Sequence, residues 1–95
     1  MFNPEDLRPY LEAVDKLEFT TSRFIRDEVF KKDQTYKALR LEDARMTLYN
    51  QTVIKALKYL VAAEYIEFFF KGNSKHYRLT DYGRVKLIRM KKPVL

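Results

Sequence analysis

The stretch from Met46 to Ile66 constrains the fold of this chain more than any other segment. It contains no glycine or proline, and its apolar residues recur at the three- and four-residue spacing of one helix face. This apolar stripe consists of Tyr49, Val53, Ala56, Leu57 and Leu60. At about 100° per residue, the opposite face carries Gln51, Lys55, Lys58 and Ala62. The stretch therefore predicts a helix with a buried stripe and a polar, basic outer face, for which Thr47 and Asn50 offer polar caps.

The composition bounds the class of protein. The 95 residues predict a single domain spanning 1–95, and 46% hydrophobic and 15% aromatic residues are enough for one compact core. No apolar run approaches the roughly 18 residues of a membrane span. The chain has no cysteine, which excludes disulfides and thiolate metal sites. We expect a cytoplasmic protein without a membrane partner.

The net charge of +6 is unevenly distributed along the chain. Residues 1–30 hold seven acidic and four basic residues, whereas residues 31–95 hold six acidic and fifteen basic residues. From Phe68 onward there are eight basic residues, including Lys92, and only one acidic residue. Clustered lysine and arginine are the electrostatic footprint of nucleic-acid binding, so the charge favours a polyanionic partner.

The N-terminal third predicts two helices and a short strand. Asn3 precedes proline and two acidic residues, which is typical of a helix start. Because Pro9 would interrupt a helix, we place the first stable helix from Arg8 or Pro9 to Leu17, with a frayed or kinked lead-in and an acidic outer face. Residues 18–21 are β-prone, and a second helix, capped by Thr21 or Ser22, is predicted over 23–31.

The C-terminal third predicts a β-hairpin and a final helix. Ile66–Phe70 is a β-prone run, 71–75 is a turn containing Gly72, and 76–79 alternates like a returning strand. The central Phe69 is expected to point away from the core of the domain. A last helix over 81–90 is predicted with Val85 and Ile88 facing inward.

Two segments together resemble the winged helix-turn-helix family. The segment T-V-I-K-A-L-K-Y-L-V-A-A-E-Y-I resembles its third helix, and I-E-F-F-F-K-G-N-S-K-H-Y-R-L-T-D-Y-G-R resembles the wing hairpin that follows. The resemblance covers 47–84 well and 10–30 loosely. It implies an α+β fold with a three-helix core, a C-terminal wing and a short final helix, in which the strand at 18–21 pairs with the wing.

The connection over 32–45 departs from the family pattern, since the second and third helices are usually joined by a few residues. Its many good helix formers predict an extra helix near 35–44. Two arrangements remain open. Either the helix at 23–31 is the second helix of the motif and 35–44 is an insertion, or 35–44 is itself the positioning helix and 46–48 is the turn.

The resemblance implies binding of double-stranded DNA and regulation of transcription. The recognition helix, 47–63, would lie in the major groove and the wing, 66–79, on the flanking backbone. Gln and Asn can pair with adenine, and Lys with guanine or phosphate. The predicted contacts of the recognition helix are Asn50, Gln51, Thr52, Lys55 and Lys58. Those of the wing are Lys71, Asn73, Lys75, His76 and Arg78.

Other functions have weaker support in the sequence. His76 is the only histidine, and with two glycines no phosphate-binding glycine loop exists. We therefore predict no enzyme, cofactor, metal site or small-molecule ligand. The alternative is a winged-helix module for protein–protein contact, without specific DNA binding. A homodimer, formed through the first helix or the inserted segment, would suit a DNA-binding protein of this class. A small basic regulator of this kind would suit an archaeal virus or plasmid, acting inside the host cell.

Overall fold

A computed structural model describes residues 4–91, which form five helices and a two-stranded antiparallel sheet. In chain order these elements are α1 (Pro4–Leu17), α2 (Ser22–Val29), α3 (Gln34–Ala38), α4 (Ala44–Ala62), β1 (Ile66–Lys71), β2 (Ser74–Leu79) and α5 (Asp81–Lys91). The predicted cap Asn3 and the basic Lys92 lie outside the described residues. The fold is α+β, and a hairpin that follows the main helices is a layout compatible with a winged helix.

The first helix begins at Pro4 and continues through Pro9, so the prediction of a stable helix only from Arg8 or Pro9 was wrong at its start. A proline inside a helix costs about 3 kcal/mol. Burial of an entire helix face outweighs this cost, because each large apolar side chain contributes about 1.5–3 kcal/mol when fully buried. The buried face of α1 consists of Leu7, Tyr10, Leu11, Ala13 and Val14.

The core lies where α1, α2 and α4 pack together and meet the hairpin. Its most deeply buried large side chains are Leu11, Val14, Ile25, Val53, Leu57, Leu60 and Ile66. The predicted stripe of α4 is confirmed at four positions, while its fifth member, Tyr49, is half-buried. Met46 extends the same stripe toward the start of α4.

The connection between α2 and α4 contains a helix of only five residues. Before the first residue of α3, the carboxylate of Asp33 caps the helix by accepting a hydrogen bond from the Tyr36 amide at 3.0 Å, and the helix ends where the backbone of Leu39 becomes extended. The predicted helix over 35–44 was therefore wrong beyond Ala38. Since α2 packs on both α1 and α4, the structure favours the arrangement in which α2 partners α4 and the predicted insertion, which includes α3, lies between them.

The hairpin is closed by two residues, Gly72 and Asn73, with Lys71 opposite Ser74. Gly72 has a φ of +63°, which fits the glycine preferred at the first central position of such turns. The predicted turn over 71–75 is thus shorter in the structure. On the far edge of β2, Thr20 and Tyr77 exchange two backbone hydrogen bonds of 3.0 and 2.7 Å, which confirms the expected pairing of 18–21 with the hairpin.

The start of α5 is fastened to the corner between α4 and β1. The Thr80 amide donates to the carbonyl oxygen of Tyr65 at 3.1 Å, and its hydroxyl donates to that of Glu64 at 2.5 Å. The same hydroxyl accepts a hydrogen bond from the Gly83 amide at 2.9 Å. A Cβ atom on Gly83 would lie 1.8 Å from the Tyr65 carbonyl oxygen, so only glycine permits this approach.

This contact determines which face of α5 is buried. Gly83 faces Tyr65, and Leu87, one turn later, is therefore buried. Val85 and Ile88 are 44% and 53% exposed, so the prediction that they face inward was wrong. The apolar pattern of α5 alone gave no sign that a glycine, rather than an aliphatic residue, sets the orientation of the helix.

Candidate nucleic-acid interface

The outer face of α4 is a solvent-exposed surface along the length of the helix. Because Val53, Ala56 and Leu57 are buried, helical periodicity turns Gln51 and Lys55 toward solvent. The structure thus places these two predicted residues near the centre of the exposed face. The residues exposed around them are Ala44, Thr47, Leu48, Ile54, Lys58 and Ala62.

Asn50 and Thr52 lie on opposite flanks of this face, and their side chains bond to the protein. The Asn50 amide oxygen accepts a hydrogen bond from Arg26 Nη1 at 2.5 Å. The hydroxyl of Thr52 donates to the carbonyl oxygen of Leu48 at 2.8 Å. Neither Thr47 nor Asn50 caps the helix, because α4 starts earlier than predicted and Asp43 is its cap. The amide nitrogen of Asn50 still has hydrogens available for an outside partner.

A buried arginine holds the three helices behind this face together. From α2, Arg26 Nε donates to the Tyr36 hydroxyl at 2.6 Å, and its Nη1 holds Asn50 on α4. The Tyr36 hydroxyl in turn donates to Asp27. Burial, and then the hydrogen bond to Asp27, raises the pKa of Tyr36, so the hydroxyl keeps its proton and its role as donor. The insertion is thereby tied to the α2–α4 pair.

The predicted hairpin residues divide between the two faces of the sheet. Lys75 lies on one face, with its Nζ 4.0 Å from the centroid of the Phe68 ring. On the other face, the His76 ring stacks on Phe19 with centroids 4.9 Å apart. Arg78 packs across the sheet on that second face, where its Cζ lies 4.4 Å from the Phe69 ring. Lys71 and Asn73 are exposed beside the turn, so the structure does not bring all five residues onto one surface.

A groove of about 570 Å³ connects α4 with the hairpin. Lys58 of α4 and Lys75 of β2 both line it, which brings together one predicted residue from each element. Arg23, at the start of α2, lines the groove as well. We did not predict Arg23 as a site residue, although a basic residue in the first turn of the second helix was a signal in the sequence.

The cations of this surface form no salt bridge with the acidic side chains that the structure describes. Among residues 6–91, no salt bridge involves Arg23, Lys58 or Lys75, and the same holds for Lys55. By contrast, Glu28 on the far side of α2 is bonded by Lys16 and Lys31 at 2.9 and 2.7 Å. These two hydrogen bonds lower the pKa of Glu28. Positive charge is therefore neutralised away from the groove and left uncompensated along it.

The start of α4 is capped by Asp43, whose carboxylate accepts from the Arg45 amide at 2.9 Å and from the Arg45 side chain. These hydrogen bonds lower the pKa of Asp43 below its usual 3.8. A lowered pKa in the folded state means that the charged form adds stability above pH 3.8, and that this stability is lost as the pH falls through the folded-state pKa.

We therefore expect Asp43→Asn, which keeps a capping oxygen, to be less stable than the wild type at neutral pH. The difference should shrink to nothing in acid, once Asp43 is protonated. Urea unfolding of both proteins across this pH range measures it. A difference in urea midpoint that is independent of pH would contradict the assigned role of the Asp43 charge.

Two structural features are absent from residues 4–91. In that part of the chain, no cluster of three metal-ligating side chains is present, and none of the helices is long and apolar enough to cross a membrane. Comparison with known proteins finds no matching family model and no matching curated protein. The fold and the surface formed by α2, α4 and the hairpin are therefore the features that bear on function.

Proposed function

We propose that this chain is a winged-helix protein that binds double-stranded DNA and regulates transcription. In this proposal α4 lies in the major groove, which admits one helix, and the hairpin contacts the flanking backbone. The observation that supports it best is the groove where Arg23, Lys58 and Lys75 converge from three elements, with no salt bridge to any side chain among residues 6–91. Such an arrangement suits a continuous row of phosphates.

The exposed side chains of this surface would contact either bases or phosphates, according to their positions. Gln51 and Lys55, exposed at the centre of the α4 face, are suited to read base edges. Arg23, Lys58 and Lys75 are suited to bind phosphates, which gives affinity and position but no sequence information. Asn50, oriented by Arg26, would contribute through its amide nitrogen.

Duplex DNA binding at two salt concentrations tests this function. A fragment from upstream of the protein's own gene should compete with DNA of mixed sequence. A steep fall of affinity with salt, together with a preference for the native fragment, is expected for a sequence-reading regulator. Steep salt dependence without preference would indicate an architectural binder, and an absence of binding at low salt would refute the proposal.

A protein-interaction module is the second candidate function. The apolar Leu48 and Ile54 are exposed on the same face of α4 as the proposed base-reading residues. Leu41, in the connection before α4, is exposed as well. An apolar surface of this kind is typical of protein contacts. Failure to bind DNA at low salt would favour this candidate.

The double variant Lys58→Ala/Lys75→Ala, which removes two of the proposed phosphate contacts, should weaken DNA binding and flatten its salt dependence. Each lost phosphate contact reduces the slope of log affinity against log salt by about 0.9, so two contacts reduce it by about 1.8. Fluorescence anisotropy titrations over a series of salt concentrations measure the slope.

A matched control is Lys16→Ala/Lys31→Ala, which removes the same charge beside Glu28. This control should retain a slope close to that of the wild type. If both double variants reduce the slope equally, the effect reflects net charge, and the proposed DNA-binding face is wrong.

A further inference from the structure

The outer edge of β1 is open. The central strand β2 is paired on one side with β1 and on the other with Thr20. No backbone hydrogen bond within residues 4–91 leaves β1 on the side away from β2. An unpaired edge presents a row of free amide and carbonyl groups, and it is a template for another strand.

The hairpin geometry identifies which residues present these groups. In a two-residue hairpin the closing pair, Lys71 and Ser74, is hydrogen-bonded, and bonded and non-bonded pairs then alternate. The backbone groups of Ile66, Phe68 and Phe70 therefore point to the open edge. The contact of Tyr77 with Thr20 agrees with this alternation, because Tyr77 lies opposite Phe68 and bonds away from β1.

Three consecutive aromatic side chains of β1 are exposed, and they alternate between the two faces of the sheet. Phe68, Phe69 and Phe70 are 38%, 40% and 68% exposed. The two charged residues of the strand, Glu67 and Lys71, have opposite signs and flank these three rings. Consecutive exposed aromatic residues on an open edge mark an interaction surface.

We propose that β1 pairs antiparallel with β1 of a second copy of this chain, with a two-fold axis at Phe69. Edge-facing residues must oppose edge-facing residues, and this register places Phe68 opposite the partner's Phe70. It also places Glu67 opposite the partner's Lys71, twice in each dimer. If the partner strand were shifted by two residues in either direction, Glu67 or Lys71 would lie opposite the partner's Phe69, and the pairs of opposite charge would be lost. The order of charges along β1 therefore selects a second copy in the antiparallel orientation.

The two hairpins would form a continuous sheet. Arg78, whose Nε is 3.6 Å from Glu67, would continue the charged row that Glu67 makes with the partner's Lys71. In the dimer, Phe68 would pack against the partner's Phe70, and the two Phe69 side chains would lie opposite each other. These contacts would remove exposed phenylalanine surface from water. The dimer would form in the absence of DNA, so its test is independent of the proposed DNA binding.

Charge reversal at the strand ends tests the register in the absence of DNA. The wild type should sediment as a dimer at micromolar concentration. Lys71→Glu alone would oppose acid to acid at both ends, and Glu67→Lys alone would oppose base to base. Each should raise the dissociation constant roughly tenfold or more, since paired like charges across strands repel.

Mixing the two variants provides the rescue. In a heterodimer of Lys71→Glu with Glu67→Lys, both cross-strand pairs are again of opposite charge, so the mixture should recover affinity close to that of the wild type. This recovery also controls for the loss of the Glu67–Arg78 contact in one variant. A wild type that remains monomeric, or a mixture no tighter than its components, would overturn the proposal.

A backbone variant tests the same edge by another route. Phe70→Pro removes an amide that points to the open edge and not to β2, so the hairpin bonds are retained. Its circular dichroism should match that of the wild type while its dimer is lost. Should it fail to fold, Phe70→Ala, which removes an exposed ring and keeps the amide, tests the contact with the partner's Phe68 and should weaken the dimer. A folded dimer of either variant, with wild-type affinity, would contradict the predicted pairing.

Discussion

Replacing Gly83 by alanine is expected to lower the free energy of unfolding by about 3 kcal/mol, at the upper end of the cost of overpacking. Inside a helix this substitution ordinarily stabilises by about 0.5–1 kcal/mol. The sign reverses here because the new Cβ atom would lie 1.8 Å from a backbone carbonyl oxygen of Tyr65. Relieving this clash requires α5 to move, which would strain the hydrogen bonds of Thr80 to Glu64 and Tyr65.

Gly72→Ala is the matched control, because this residue has open space around it and a φ of +63°. An alanine at this position is disfavoured only because the backbone is left-handed, which should lower the free energy of unfolding by about 1 kcal/mol. Urea unfolding of the two variants compares them directly. A Gly83→Ala protein that is as stable as the wild type would show that the close approach of α5 to Tyr65 is not maintained.

Arg26→Ala is expected to lower the free energy of unfolding by about 2–3 kcal/mol, because hydrogen bonds of a charged group contribute about 1.5–3 kcal/mol and the side chain is buried. The guanidinium bonds Tyr36, Asn50 and Asp27, so its removal disconnects α2 from α3 and α4. Asp27 is half exposed, so water hydrates its carboxylate when Arg26 is removed. The loss of stability is therefore smaller than for a fully buried carboxylate left without a partner.

Arg23→Ala on the same helix is the control, because Arg23 is exposed. Its effect on stability should stay within about 0.5 kcal/mol, the range of surface substitutions. Thermal unfolding followed by circular dichroism distinguishes the two variants. Equal stabilities for Arg23→Ala and Arg26→Ala would mean that the buried network contributes nothing to the fold.

The sequence predicted the elements whose periodicity is strong. The stripe through Val53, Leu57 and Leu60 identified α4 and its buried face, because no other conformation removes that spacing of residues from water. Gly72 between two β-prone runs identified the hairpin, because a glycine at this place in the sequence permits a tight turn between strands. The pairing of residue 20 with the hairpin came from the family resemblance and not from the residues alone.

Tertiary contacts decided the features that sequence reasoning missed. Pro9 pointed to a helix start, but the burial of Leu7, on the N-terminal side of the proline, favours a helix that continues through it. Helix propensity favoured a helix to residue 44, whereas Asp43 caps the next helix and leaves 39–43 as a connection. The buried face of α5 depends on the approach of Gly83 to Tyr65, two residues far apart in sequence.

The candidate site was predictable only in part. Helical periodicity was enough to place Gln51 and Lys55 on the outer face of α4. The bond from Arg26 to Asn50 and the groove that adds Arg23 to Lys58 depend on the packing of α2 against α4. Simple strand alternation could have separated Lys75 from His76 and Arg78, since consecutive strand residues point to opposite faces.

The hairpin is anchored at its base on two sides, by Thr20 against Tyr77 and by Thr80 against Tyr65. Any hinge for the hairpin must therefore lie beyond Tyr77, toward Gly72. The amide hydrogen of Tyr77 should exchange slowly with solvent, and those near the turn quickly. When a ligand binds across α4 and the hairpin, the lower part of the hairpin is already held in place. The conformational entropy lost on binding is therefore confined to the residues near the turn.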